Sequence, residues 1–162
     1  MILKSLHFCM LLILTEKGRA SAKEMSASIS KFGPKTRLTI TSPLTRAVQT
    51  AEIVAEKACR KNVVVASTML LPEADIRELV AYLKSGTDAR RVMVVGHEPH
   101  LGRLVATLLG QADEAVSLSK GACVALKLEQ ESDDKSASFL WYLAPGRKRI
   151  SSFKKAFPQA VS

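Results

Sequence analysis

Histidine, cysteine and aromatic residues are all scarce in this sequence, and each scarcity removes a class of function. Three histidines and three isolated cysteines supply no ligand cluster, so neither a metal site nor another cofactor is implied. Cys9, Cys59 and Cys123 form no C-x-x-C pair and leave an odd thiol under any pairing. That pattern speaks against a disulfide framework and for a reduced, cytoplasmic compartment, with the thiols acting as small apolar core residues. Aromatics make up 5% of the chain, too few to stack a run of bases. No stretch reaches the roughly eighteen apolar residues of a membrane-spanning helix. The apolar run Phe8–Leu14 behind Lys4 imitates a secretory leader. No small-residue cleavage site follows it, and it passes directly into Thr15-Glu16-Lys17-Gly18-Arg19, which reads as part of a folded domain.

What is present is an ordinary globular composition, 47% hydrophobic and 24% charged over 162 residues. That length suits one domain, 1–162, able to bury a core without staples. The net charge of +9 favours an anionic or phosphorylated partner electrostatically. The cations are scattered, with small clusters at Arg147-Lys148-Arg149 and Lys154-Lys155, so a solvated basic surface is preferred to nucleic-acid binding. No membrane partner is implied, and the oligomeric state stays open.

Periodicity predicts alternating elements. Ala22, Met25, Ile29 and Phe32 recur at spacings of three and four, giving a helix over Glu16–Lys31 with Thr15 as its cap and Gly33-Pro34 as its stop. Leu38–Thr41 is a short β-branched strand running into Ser42-Pro43, a helix start in which serine caps and proline occupies the first turn. The helix that follows, to about Arg60, puts Ala47, Ala51, Val54 and Ala58 on one face. Further strands are expected at Val63–Ala66 and Val92–Val95, and helices at Asp75–Lys84 and Leu101–Leu109. Cys123–Leu128 and Phe139–Leu143 then read as an antiparallel hairpin around Ser132–Lys135. The expected fold is α/β and three-layered, a mostly parallel sheet with helices on both faces. Residues 146–162 read as a basic peripheral tail.

Ligands of open α/β sheets lie beyond the carboxyl ends of the strands, and two strand-to-helix turns carry suitable groups there. One sets Arg46 in the first turn of a helix, where guanidinium and free amides together can hold an anion. The other sets His97 directly after Val92–Val95 and Gly96, a glycine that allows a tight turn. Alone, Arg46 would be read as a surface arginine and His97 as a hydrogen-bonded structural histidine.

The surrounding residues change that. Ser42-Pro43-Leu44-Thr45-Arg46-Ala47-Val48-Gln49-Thr50-Ala51 resembles the arginine motif S-P-x-x-R-A-x-Q-T-A of the histidine phosphatase superfamily. Val94-Val95-Gly96-His97-Glu98-Pro99-His100-Leu101 is similar to the second-histidine motif in its SixA-type form. Leu14-Thr15-Glu16-Lys17-Gly18 and Leu71-Pro72 with Asp75 extend the likeness over about Leu14–Leu143. The resemblance implies a phosphohistidine phosphatase fold and phosphoryl transfer through a phosphohistidine intermediate, on a phosphorylated protein or a small phosphomonoester. It also implies that Arg46 and His97 are the catalytic, phosphate-binding residues, with Ser42 a weaker phosphate contact. Such a clamp matches the spread of charge over three equatorial oxygens in phosphoryl transfer.

One part of the motif set is missing. The resemblance implies a nucleophilic histidine in an Arg-His-Gly turn after the first strand, and this sequence contains no Arg-His-Gly. His7 is preceded by Leu6 and followed by Phe8, and 13 residues precede Leu14, fewer than the first strand and its loop need. The first strand is thus expected to be truncated or replaced, through an internal start or a degenerate gene, with Phe8–Leu14 as the candidate to fill its slot. Two main functional readings follow: a phosphohistidine phosphatase by lineage, and a phosphate- or phosphoprotein-binding module without turnover.

Overall fold

Val92–Val95 is buried on both sides, and the alternation of its side chains divides the core in two. Val92 and Val94 belong to one apolar cluster, Met93 and Val95 to the other. This is the pattern of an interior strand in a sheet covered on both faces. In a computed structural model the chain is described over residues 4–10, 16–32, 35–61, 63–85, 87–112, 116–128 and 136–161, with residues 4–10 and 161 described by their backbone.

The sheet is built from β1 (Lys4–Met10), β2 (Leu38–Thr41), β3 (Val64–Ala66), β4 (Arg91–Gly96), β5 (Cys123–Leu128) and β6 (Ala137–Leu143), in the order β3-β2-β4-β1-β5-β6. The first four are mutually parallel, and β5 and β6 add antiparallel. Helices α1 (Glu16–Phe32) and α2 (Thr45–Ala58) cover one face through Ala22, Met25, Ile29, Ala47, Ala51 and Val54. Helices α3 (Ile76–Ser85) and α4 (His100–Leu108) cover the other through Leu79, Leu83, Leu101, Leu104 and Leu108. The three-layer α/β arrangement read from the sequence is the one observed. Among the described residues no helix is long and apolar enough to cross a membrane.

Three expectations need correction. The slot of the first strand, expected to be truncated or replaced with Phe8–Leu14 as the candidate to fill it, is occupied from Lys4 onward: Lys4–Met10 lies inside the sheet, parallel to β4 and antiparallel to β5. It satisfies the ladder of both neighbours, whose amides and carbonyls would otherwise be unpaired. The second part of the run proposed for that slot, Leu11–Leu14, lies outside the described residues, as do Thr15, Gly33-Pro34 and Ser132–Lys135. Helix α2 starts at Thr45 instead of Ser42-Pro43, because Ser42 still continues the sheet, its N–H donating to the Val95 carbonyl at 3.0 Å.

The third correction concerns the tail, which is docked. Ile150 and Tyr142 exchange two backbone hydrogen bonds of 2.8 Å, covering the outer edge of β6. A short helix, α5 (Phe153–Ala156), then delivers Phe157, 1% exposed, into the core. Its ring lies 5.3 Å from those of Tyr142 and Phe153. Apolar burial overrides the local positive charge because Lys154 and Lys155 face water while Phe157 turns inward. Phe157→Ala should therefore lower unfolding stability by about 3–5 kcal/mol, seen as a fall in the denaturant midpoint.

Candidate functional site

The carboxyl ends of β2 and β4 lie side by side, with Thr41 paired to Val95, and each strand feeds a helix. After β2 the Ser42 hydroxyl accepts the Leu44 N–H at 3.4 Å, and the Leu44 carbonyl accepts the amides of Ala47 and Val48 to open α2. Arg46 is the second residue of that helix and is exposed. After β4 the His97 carbonyl accepts the Leu101 N–H at 2.9 Å, which opens α4. Two helices thus begin at one end of the sheet, with the positive ends of their dipoles toward it, where an anion is favoured.

Gly96 sits in a tight place. A Cβ there would stand 3.3 Å from two atoms of Leu101 and 3.5 Å from Leu70, so the glycine lets α4 pack down on the strand end. Its backbone is not left-handed, so close packing, and not the tight turn expected from sequence, is what a larger residue here would disturb.

His97 is 8% exposed, and its Nε2 has no hydrogen-bond partner. A buried polar atom without a partner is costly. Burial chiefly, then the nearby Arg46 guanidinium and His100, hold His97 below the usual imidazole range. The ring is therefore neutral near pH 7. The Arg46 guanidinium is thus near enough to bear on that ring electrostatically. Ser42 is fully buried, and its hydroxyl is engaged by Leu44.

Two further groups shape the turn, both within the motif around His97. His100 is 2% exposed, with Nε2 3.2 Å from the Met69 carbonyl, which ties α4 to the short 3₁₀ turn Thr68–Leu70. Burial lowers its pKa against the opposing effect of that hydrogen bond. Glu98 accepts the Gly102 N–H at 2.8 Å and a backbone N–H from Leu118. It thereby caps α4 and fastens the segment before β5 to the His97 turn. Gly102 gives this clamp its room, because a Cβ there would meet the Val116 carbonyl oxygen at 2.5 Å and the Glu98 carboxylate at 2.8 Å.

Burial raises the Glu98 pKa above its ordinary 4.5, and the two amides only partly oppose this. A folded-state value above the unfolded one means a contribution to stability that is complete below 4.5 and lost as pH rises through the folded value. Glu98→Gln should flatten that part of the stability–pH profile, measured by thermal melts at a series of pH values.

Comparison with known proteins bears on family and fold. A family model, the histidine phosphatase superfamily (branch 1), matches residues 12–71, a span that includes Arg46 and begins after β1. The chain belongs to the histidine phosphatase superfamily. It is 32% identical over 118 residues to an uncharacterised protein of Picosynechococcus sp., covering 70% of each chain. The protein histidine phosphatase SixA complexed with tungstate shares its fold at a TM-score of 0.75, with 22% identity over 87% of this chain and 97% of that one. A SixA-named protein of Nakamurella multipartitia gives 0.72, with 17% identity over 90% and 98%. The alpha-ribazole phosphatase of Shigella flexneri gives 0.67, with 16% identity over 92% and 96%.

As a histidine phosphatase superfamily member, the chain is unusual at the end of β1. Met10 pairs with Gly96, so this strand ends level with the residue before His97. The next residues in the sequence are Leu11-Leu12-Ile13-Leu14, without a histidine or a glycine.

Proposed function

We propose that this protein recognises a phosphoryl group, as phosphohistidine on a partner protein or as a small phosphomonoester, in the hollow shared by Arg46 and His97. In the form sequenced here it holds that group without turning it over. The observation that carries this reading is the buried, unpartnered His97 Nε2 under the influence of Arg46. A phosphoryl oxygen would satisfy the imidazole, the guanidinium fork would bind further oxygens, and the free amides of α2 would add to the field. Arg46 would serve as the clamp and His97 as a donor once protonated. Ser42 is left with the turn alone.

In the phosphatase mechanism of this superfamily, hydrolysis proceeds through a phosphohistidine on the Arg-His-Gly turn. The substrate-holding part of such a site is represented here by Arg46 and His97, and the covalent part has no counterpart after β1. Superfamily membership favours a second reading, a working phosphohistidine phosphatase, which requires another nucleophile.

Calorimetry with a stable phosphohistidine-analogue peptide and its unphosphorylated twin tests the proposal. Binding of the first alone, abolished by Arg46→Ala, is expected. Equal affinity for both peptides would contradict it.

A further inference from the structure

The opposite end of the sheet carries a second feature unconnected with the phosphoryl hollow. Lys35, Arg37, Arg60, Lys61, Arg90 and Arg91 converge where β2, β3 and β4 begin. Backbone hydrogen bonds fix the convergence: Arg37 N–H to the Arg91 carbonyl, 2.9 Å, and Arg60 N–H to the Thr36 carbonyl, 2.7 Å. The Arg91 Nε donates to the Lys35 carbonyl at 2.9 Å. Five of the six are exposed and Arg91 is half-buried. Among the described residues the ion pair is Asp75 with Arg77, so none of the six is engaged by a carboxylate. Asp88 is the exposed acid nearest in sequence.

This basic end borders an open strand edge. β3 is the last strand of the sheet and pairs with β2 alone. The Val63 carbonyl accepts the Thr39 N–H, and the Ser67 N–H donates to Thr41, so residues 63, 65 and 67 bond inward. By the alternation of a parallel ladder, Val64 and Ala66 direct their amides and carbonyls outward. Val63 and Val65, on one face of that edge, are 41% and 46% exposed. The far edge, by contrast, is covered by the bridge between Ile150 and Tyr142.

We propose that β3 and the adjoining cations form a docking strip for an extended acidic segment of a partner protein, which adds to the sheet as a further strand. Charge complementarity selects the occupant. Carboxylates would meet Arg37, Arg60 and Lys61, alternate apolar side chains would cover Val63 and Val65, and main-chain groups would pair with Val64 and Ala66. A nucleic acid could meet the cations. It brings neither amide donors nor small apolar side chains to the valines.

Fluorescence anisotropy with a labelled peptide of alternating glutamate and valine tests this on the full chain, with an alternating lysine–valine peptide as control. The glutamate peptide should bind with an affinity that falls as salt is raised, and the control should not bind. The triple variant R37E/R60E/K61E should weaken binding by about tenfold or more. The double variant V63S/V65S should weaken it at unchanged salt dependence, and matched thermal melts would establish that both variants fold. The proposal is overturned if both peptides bind alike, if the charge reversals leave affinity unchanged in a folded protein, or if single-stranded RNA or anionic vesicles bind in preference to the glutamate peptide.

Discussion

Offered an aryl phosphate or phosphohistidine, the chain as sequenced is expected to release phosphate no faster than buffer. Loss of a covalent nucleophile costs on the order of a millionfold in turnover in well-studied hydrolases, and no Arg-His-Gly follows β1 in this sequence. β1 is in place and ends opposite Gly96. The sequence then continues Leu11-Leu12-Ile13-Leu14, side chains that neither attack phosphorus nor donate to its oxygens. His100 has its Nε2 committed to the Met69 carbonyl. A phosphate-release assay at high enzyme concentration checks this. Measurable turnover would point to His97, whose Nε2 alone of these two imidazoles has no partner.

The second large effect is on binding. Arg46→Ala should weaken inorganic phosphate or tungstate binding by about tenfold to 150-fold, since each hydrogen bond to a charged group contributes about 1.5–3 kcal/mol. Arg46 is exposed at the start of α2, so the substitution removes little packing and the fold should survive. Arg46→Lys should recover part of the affinity, because charge returns without the planar fork. The same alanine variant should raise the His97 pKa, since the guanidinium is one of the influences that depress it.

How far the sequence revealed these features depends on whether the cause is local. Leu38–Thr41 and Val92–Val95 announced themselves through β-branched runs, and both strands sit where the pattern put them. Lys4–Met10 holds no Val, Ile or Thr, so local propensity does not mark it, and pairing on both sides makes it a strand. The tail reads as peripheral because Arg147, Lys148, Arg149, Lys154 and Lys155 make it basic. Ile150, Phe153 and Phe157 nevertheless stand at spacings of three and four, a pattern that marks an apolar face.

The candidate site divides in the same way. Arg46 and His97 follow strand ends and could be placed from the chain alone. The Glu98 clamp could not, because the Leu118 amide that it accepts lies twenty residues away in sequence. Ser42 misled because a residue suited to capping occupies a position where the chain still belongs to the sheet.

An NMR titration of the His97 imidazole against pH, with and without inorganic phosphate, bears most directly on the shared hollow. The free ring should titrate below the ordinary histidine range. Bound phosphate should move its midpoint upward, because an oxyanion favours the imidazolium, and that upward shift should be absent in Arg46→Ala. A His97 midpoint indifferent to phosphate, with the anion perturbing residues elsewhere, would contradict the convergence of Arg46 and His97 on one anion.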